Sequence, residues 1–236
     1  PMTFTPLNKM RYPEKIAKTI QMRILNGQLS CGERLPAEIV LAGEFDVSRS
    51  VVREAMRILD GLGLIKIKKG PKGGIFVNDG YHKPFSDSLR GLLDSGRVSV
   101  ENIFMVRLLI EPNVASEAAR NATQEDMQEL QFILQESEQH MDDAVFMQAN
   151  RGQFHVLLAK ASGNPILEIF MQSLIELLRE YFYDFKSVDF ERHAIATHRE
   201  ILMAIRNRDA DKARDLMTDD ILKIKSLVKN MDNNAI

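Results

Sequence analysis

Residues 34–77 read RLPAEIVLAGEFDVSRSVVREAMRILDGLGLIKIKKGPKGGIFV, and the spacing inside this run decides how the chain folds. Leu41, Ala42, Phe45, Val47, Val51, Val52, Ala55, Met56 and Leu59 recur in steps of three and four, as two short helices sharing one core require. Asp46-Val47-Ser48 supplies a tight turn between them, with Ser48 placed to cap the second helix by accepting a backbone N–H bond. That helix carries Ser48, Arg49, Ser50 and Arg53 on its leading end and outer face. Short hydroxyls and guanidinium groups in that place suit phosphates and guanine edges in a major groove. Leu64-Ile65-Lys66-Ile67-Lys68-Lys69 then alternates like a strand, Gly70-Pro71-Lys72-Gly73-Gly74 turns it, and Ile75-Phe76-Val77 returns. Lys69, Gly70 and Lys72 make the tip of a basic wing suited to a phosphate backbone or a minor groove.

Several of these elements resemble, in order, the winged helix-turn-helix of GntR-family transcription regulators. They are Glu33-Arg34-Leu35-Pro36-Ala37-Glu38, Val47-Ser48-Arg49, Val52-Arg53-Glu54-Ala55 and Leu59-x-x-Leu62-Gly63-Leu64-Ile65. The resemblance implies a bacterial DNA-binding protein. One position departs from it: the family's DNA-contacting Arg after Pro-Ala-Glu is Ile39 here, which leaves Arg34 as the neighbouring cation set against that loss.

Taken whole, the chain's 236 residues with 44% hydrophobic and 27% charged content allow two domains, each with a core. No apolar run is long enough to span a bilayer, and the opening PMTFTPLNKMRYPEK lacks the apolar core of a signal peptide, so a cytoplasmic protein with no membrane partner is expected. A single cysteine, Cys31, rules out an internal disulfide framework. Residues 1–80 hold 13 Lys+Arg against 8 Asp+Glu, a net of +5, whereas residues 81–236 carry a net of −7. The basic part can meet DNA and the acidic part is repelled by it. Composition therefore separates a DNA-binding domain, 1–80, from a second domain, 81–236, at the punctuation cluster Asn78-Asp79-Gly80-Tyr81-His82-Lys83-Pro84.

Residues 1–11 read as a polar lead, and Pro13–Asn26 as an amphipathic helix backing the helix-turn-helix. Beyond Pro84 strand signals vanish. Helices are expected over Phe85–Asp94, Ser99–Asn121, Thr123 to about His140 and Asp143–Ala161. Ser162-Gly163-Asn164-Pro165 stops one helix and starts the next, and Pro165–Phe185, Phe190–Arg206 and Asp209–Lys229 complete an all-helical bundle of about six helices. The fold class is mainly α, a winged helix-turn-helix with a small β-hairpin followed by that bundle.

His155, His198 and Asp220 fall on three different helices, on or near apolar faces. Burying such groups unpaired costs roughly 1–3 kcal/mol each, and imidazoles with a carboxylate from facing helices are how bundles build metal sites. His140 and His193 sit in polar stretches and read as solvated; Tyr181-Phe182-Tyr183-Asp184-Phe185 reads as core or dimer packing.

The helical half resembles the FCD effector domain of FadR-type GntR regulators. The matching residues are Arg107-Leu108-Leu109-Ile110-Glu111, Ala118-Ala119, Phe154-His155, Ala159-x-Ala161-Ser162-Gly163-Asn164-Pro165, His198-Arg199-Glu200-Ile201, Ala204-Ile205-Arg206-Asn207-Arg208-Asp209 and Ala213-Arg214-x-x-Met217. Many such domains hold a divalent metal with one Asp and three His, the Asp four residues before the first His. Here that position is Arg151, and the last expected His is Asp220. Three readings stand open: His155, His198 and Asp220 holding one zinc, nickel or manganese ion; a metal-free effector pocket using Arg107, Arg151, His155, His198 and Asp220; and an inert polar network. Arg107 alternatively pairs with Glu111 one turn on.

The function expected is that of a ligand-responsive regulator, a bacterial repressor, that binds a palindromic double-stranded DNA operator and answers to a small carboxylate effector; the resemblance implies that it does so as a homodimer. A dimer also makes physical sense, since one recognition helix contacts too few bases for a tight site. The competing class is a metal-dependent hydrolase tethered to DNA; no acid/base pair or nucleophile motif at a recognisable spacing supports it.

Overall fold

The computed structural model describes residues 11–71, 73–182 and 187–234; Lys72, the lead over residues 1–10 and Tyr183-Asp184-Phe185 lie outside them. The chain divides at Pro84 into two compact units, each with its own hydrophobic core.

In the first unit α1 (Tyr12–Leu25), α2 (Glu38–Glu44) and α3 (Arg49–Gly61) precede β1 (Ile65–Lys68) and β2 (Gly74–Val77). Ile16 and Ile20 of α1 meet Val52, Met56 and Leu59 of α3 in a core closed by Leu41, Leu64 and Val77. Each such side chain, fully buried, contributes roughly 1.5–3 kcal/mol. β1 and β2 pair antiparallel with Ile65 opposite Val77 and Ile67 opposite Ile75. The hairpin has a third neighbour that the alternation did not reveal. The Leu35 N–H donates to the Ile75 carbonyl and the Val77 N–H to the Glu33 carbonyl, both at 2.8 Å, so residues 33–35 run alongside β2. Ser48 does precede α3, but its hydroxyl pairs with that of Ser50 at 2.8 Å and makes no cap bond to the backbone, contrary to expectation. At the exit, the Gly80 N–H and the Asn78 amide both donate to the Gly63 carbonyl, at 3.0 and 2.9 Å. Gly63 has φ +72°, and a Cβ there would lie 2.0 Å from the Gly80 carbonyl oxygen.

The chain continues with α4 (Lys83–Asp94), α5 (Val100–Asn121), α6 (Gln124–Gln139), α7 (Ala144–Asn150), α8 (Gln153–Ala161), α9 (Pro165–Tyr181), α10 (Val188–Arg206) and α11 (Ala210–Asn234). Ser99 with Asn102 and Thr123 with Asp126 form capping boxes, and Asn164 caps α9. α5 is the central rod, packed on α8, α10 and most extensively α11. Its C-terminus is clasped by Arg208, which sits at φ +57° between α10 and α11 and donates to the Ala119 and Ala122 carbonyls at 3.1 and 2.9 Å. The single helix expected over Asp143–Ala161 is broken. Gly152 takes φ +79°, a left-handed conformation open to glycine, and a Cβ on it would lie 2.5 Å from Ile175 Cγ2 of α9. α11 runs past Lys229 to Asn234. Among the described residues no helix is long and apolar enough to cross a membrane.

Candidate functional site

On the first unit, Arg49, Arg53 and Arg57 are exposed and spaced by one helical turn, a basic stripe along α3. Arg57 was missed by the sequence reading although its four-residue spacing gives it away. Arg53 is not free: its guanidinium holds the Glu38 carboxylate of α2 at 2.9 Å. That hydrogen bond, with the nearby charges of Arg53, Arg49 and Arg57, keeps the Glu38 carboxyl below its ordinary value against a smaller effect of burial. Arg34 is likewise engaged, donating from Nη2 to the Gly73 carbonyl at 2.8 Å and lying over the Phe76 ring, so it braces the wing. Lys69 and Gly70 are exposed at the wing's tip, and Ile39 presents an apolar side chain to solvent at the start of α2.

In the second unit the three residues singled out from sequence do converge. α8 brings His155, α10 brings His198 and α11 brings Asp220, all buried, with one ligand atom from each lying within 4.8 Å of the others. Asp220 Oδ2 is 3.7 Å from His198 Nε2 and 3.9 Å from His155 Nε2. Asp220 Oδ2 and His198 Nε2 are buried without a hydrogen-bond partner. Orphaned polar atoms in a core are costly, and these face one another as the donors of one ion would. Ligand atoms 2.0–2.2 Å from a tetrahedral ion stand roughly 3.4 Å apart, a few tenths closer than the two separations from Asp220. Burial pushes the His198 imidazole below its ordinary value against the pull of Asp220, which favours the neutral ring that ligates metals. Burial would raise the Asp220 carboxyl, but His198, His155 and Arg107 bring it to about 2, the ionised form. The residues present therefore fit a divalent ion of borderline softness, with positions left open.

A second carboxylate, unmarked in the sequence as a site residue, joins the cluster as its fourth member. Glu111 on α5 is buried, its Oε2 lying 2.7 Å from His155 Nδ1 at an angle short of an ideal hydrogen bond. Arg107, one turn earlier and 3% exposed, pairs with the same carboxylate through Nε and through Nη2 at 3.2 Å. The pairing expected as an alternative for Arg107 is thus formed, but inside the core rather than on a wet face. Burial works against the Glu111 anion, and Arg107 with His155 still holds it down at about 2.

Arg151 is not on the helix of His155. It closes α7 just before the Gly152 break, its guanidinium bound to Glu191 at 2.7 Å and to the Phe182 carbonyl. The expected forks for an effector at Arg107 and Arg151 are therefore both filled by internal carboxylates. Arg179 of α9 was missed. Its Nε donates to the Arg151 carbonyl at 3.3 Å, and among the described residues it meets no carboxylate within ion-pair distance. Burial lowers its pKa, with Glu176 pulling the other way.

Arg107, Arg151, Arg179, His155 and His198 open onto a cavity of about 100 Å³, several times what one water needs, walled by Leu134, Met147, Phe154, Ile175 and Leu178. Asp220 sits behind the histidines and is not part of its lining. The Phe154 ring stacks on His198 at 4.2 Å between centroids and fixes its plane. His140, expected in solvent, stacks on Phe146 at 4.4 Å.

A winged helix-turn-helix unit and a helical unit enclosing an apolar cavity edged by charged groups on one chain define a one-component transcription regulator. Residues 13–77 match the model for bacterial regulatory proteins of the gntR family, and residues 102–222 match the FCD domain. The chain belongs to the GntR family and carries an FCD effector domain. It is similar to the HTH-type transcriptional regulator LutR of Bacillus subtilis, 34% identical over 66% of this chain and 71% of that protein. It is also similar to the HTH-type transcriptional repressor NanR of Citrobacter rodentium, 29% identical over 88% and 82% of the two chains. The solved structure of Streptococcus agalactiae GntR superposes with a TM-score of 0.66 at 26% identity, covering 91% of this chain and 99% of that one. The curated relatives are named as regulators of transcription, not enzymes, so the hydrolase reading is set aside.

Proposed function

We propose that this regulator is a cytoplasmic repressor that binds a two-fold-symmetric operator as a homodimer, and that a small organic carboxylate releases it. Residues 1–80 bind DNA: Ser48, Arg49 and Ser50 read and position, Arg53 joins them from its pair with Glu38, and Arg34, Lys69, Gly70 and Lys72 serve the wing. Residues 81–236 bind effector and dimerise. The observation that carries the effector reading is the three ligand atoms of His155, His198 and Asp220 converging beside an apolar cavity whose Arg179 has no carboxylate within ion-pair distance among the described residues. Those three side chains would hold zinc, nickel or manganese, which when bound supplies a Lewis-acidic anchor for an effector oxygen. Arg179 supplies a cation from the opposite chemistry, and the apolar wall excludes water from the ligand's body. Arg107 and Arg151, each already holding a carboxylate, act on the effector only through those pairs. The name of the NanR relative supports repression. An effector changes operator affinity by no more than its preference for one arrangement of the helical unit over another.

The test is a mobility-shift titration on duplexes that the wild-type protein selects from a random pool. Arg49→Ala is expected to abolish specific binding while circular dichroism stays unchanged, and members of an organic-acid panel to weaken the wild-type complex. Undiminished binding by Arg49→Ala would remove it from the readout. Operator affinity indifferent to every acid, with and without added zinc, would refute the effector reading.

A further inference from the structure

His155 lies between two carboxylates, and the distances to them differ in a way that fixes its chemistry. Glu111 Oε2 is 2.7 Å from Nδ1, in contact though turned off a hydrogen-bond angle, whereas Asp220 Oδ2 is 3.9 Å from Nε2, beyond hydrogen-bond reach. A neutral imidazole carries one N–H, and the nearer carboxylate draws it to Nδ1. The lone pair is then left on Nε2, the nitrogen on the Asp220 side of the ring. Glu111 cannot swing away to the cavity, because Arg107 grips both of its oxygens from one turn earlier on α5. All three residues are buried.

We propose that Glu111 is a positioning residue for the metal site: it holds His155 as the Nδ1–H tautomer with Nε2 aimed at the ion, and Arg107 holds Glu111 in turn. Arg107 is thereby assigned to the site's supporting layer and not to effector capture. A carboxylate behind a ligating histidine orients the ring and raises its basicity, and losing such a partner lowers metal affinity about 10- to 100-fold. This inference rests on the reading of His155, His198 and Asp220 as metal ligands.

The experiment uses the full chain, stripped with chelator and titrated with zinc against a chromophoric competitor. Imidazole nitrogen NMR of the metal-free protein reads the His155 tautomer separately. Glu111→Gln alone strands the buried Arg107 charge and is liable to unfold, so the deciding variant is Arg107→Met with Glu111→Gln, which removes both charges together. The expected result is a folded double variant that binds zinc about 10- to 100-fold more weakly, with His155 shifted from a single Nδ1–H form to a mixture. Wild-type affinity in that variant, or a weakened affinity with the tautomer unchanged, overturns the positioning role and leaves the metal reading standing. A wild-type chain that takes up no zinc, like His155→Ala, overturns the metal reading and this inference with it.

Discussion

Gly152 sets the position of His155. With φ +79° it ends the run from α7 and starts α8 in a new direction, and Ile175 packs where a side chain would go. Gly152→Ala therefore combines a left-handed backbone, about 1–2 kcal/mol for an L residue, with overpacking of about 1–3 kcal/mol. A loss of roughly 2–5 kcal/mol in the urea unfolding of the helical unit is expected, together with weaker metal uptake. A variant as stable as wild type would show that the break relaxes freely. The sequence did not reveal the break because one glycine inside a helical pattern is tolerable, and only the approach of Ile175 makes it obligatory. The same blindness misplaced Arg151. Counting four residues back from His155 puts a side chain on the same face only if the helix is continuous, and it is not. The convergence of His155, His198 and Asp220, by contrast, was legible, since each is a polar residue in an apolar stripe.

At the scale of elements, the pair linking α2 to α3 decides how much charge the recognition helix offers. Glu38 and Arg53 are partly exposed, so water screens their bridge and it adds little to stability. Its effect on DNA is larger. Glu38→Ala frees Arg53 and removes an anion beside Arg49 and Arg57. Affinity for random-sequence duplex is expected to rise, and the slope of log affinity against log salt to steepen by about one unit. An unaltered slope would mean that Arg53 does not reach a phosphate. Helix order and the hairpin were readable from periodicity, because apolar steps of three or four and of two fix which face is buried. Pairings between elements were not. Nothing in the pattern says that Glu38 meets Arg53, or that residues 33–35 extend the wing's sheet.

For the whole molecule, separate cores and opposite net charges mean that the two units answer to different ligands. Metal stripping should lower the calorimetric midpoint of the helical unit and leave that of the winged unit in place. At free zinc 100-fold above the dissociation constant the stabilisation is about 2.7 kcal/mol. Added DNA duplex should shift the other transition and so identify it. Equal shifts of both transitions on stripping would show that the units unfold as one. The opposite net charges of residues 1–80 and 81–236 are legible in composition alone; the internal ion pairs of Arg107 and Arg151 are not, because a sequence states charges and not which of them cancel.

The contact between Gly63 and Gly80 bears on anyone who would transplant the reading head onto another sensor. The Gly63 carbonyl takes both the Gly80 N–H and the Asn78 amide, and neither glycine has room for a side chain. The head thus includes a short tail past its last strand, and a chimera cut directly after Val77 would discard the latch that finishes it. A graft joined beyond Gly80 carries the latch along, and leaves any new partner free to be chosen without regard to the wing.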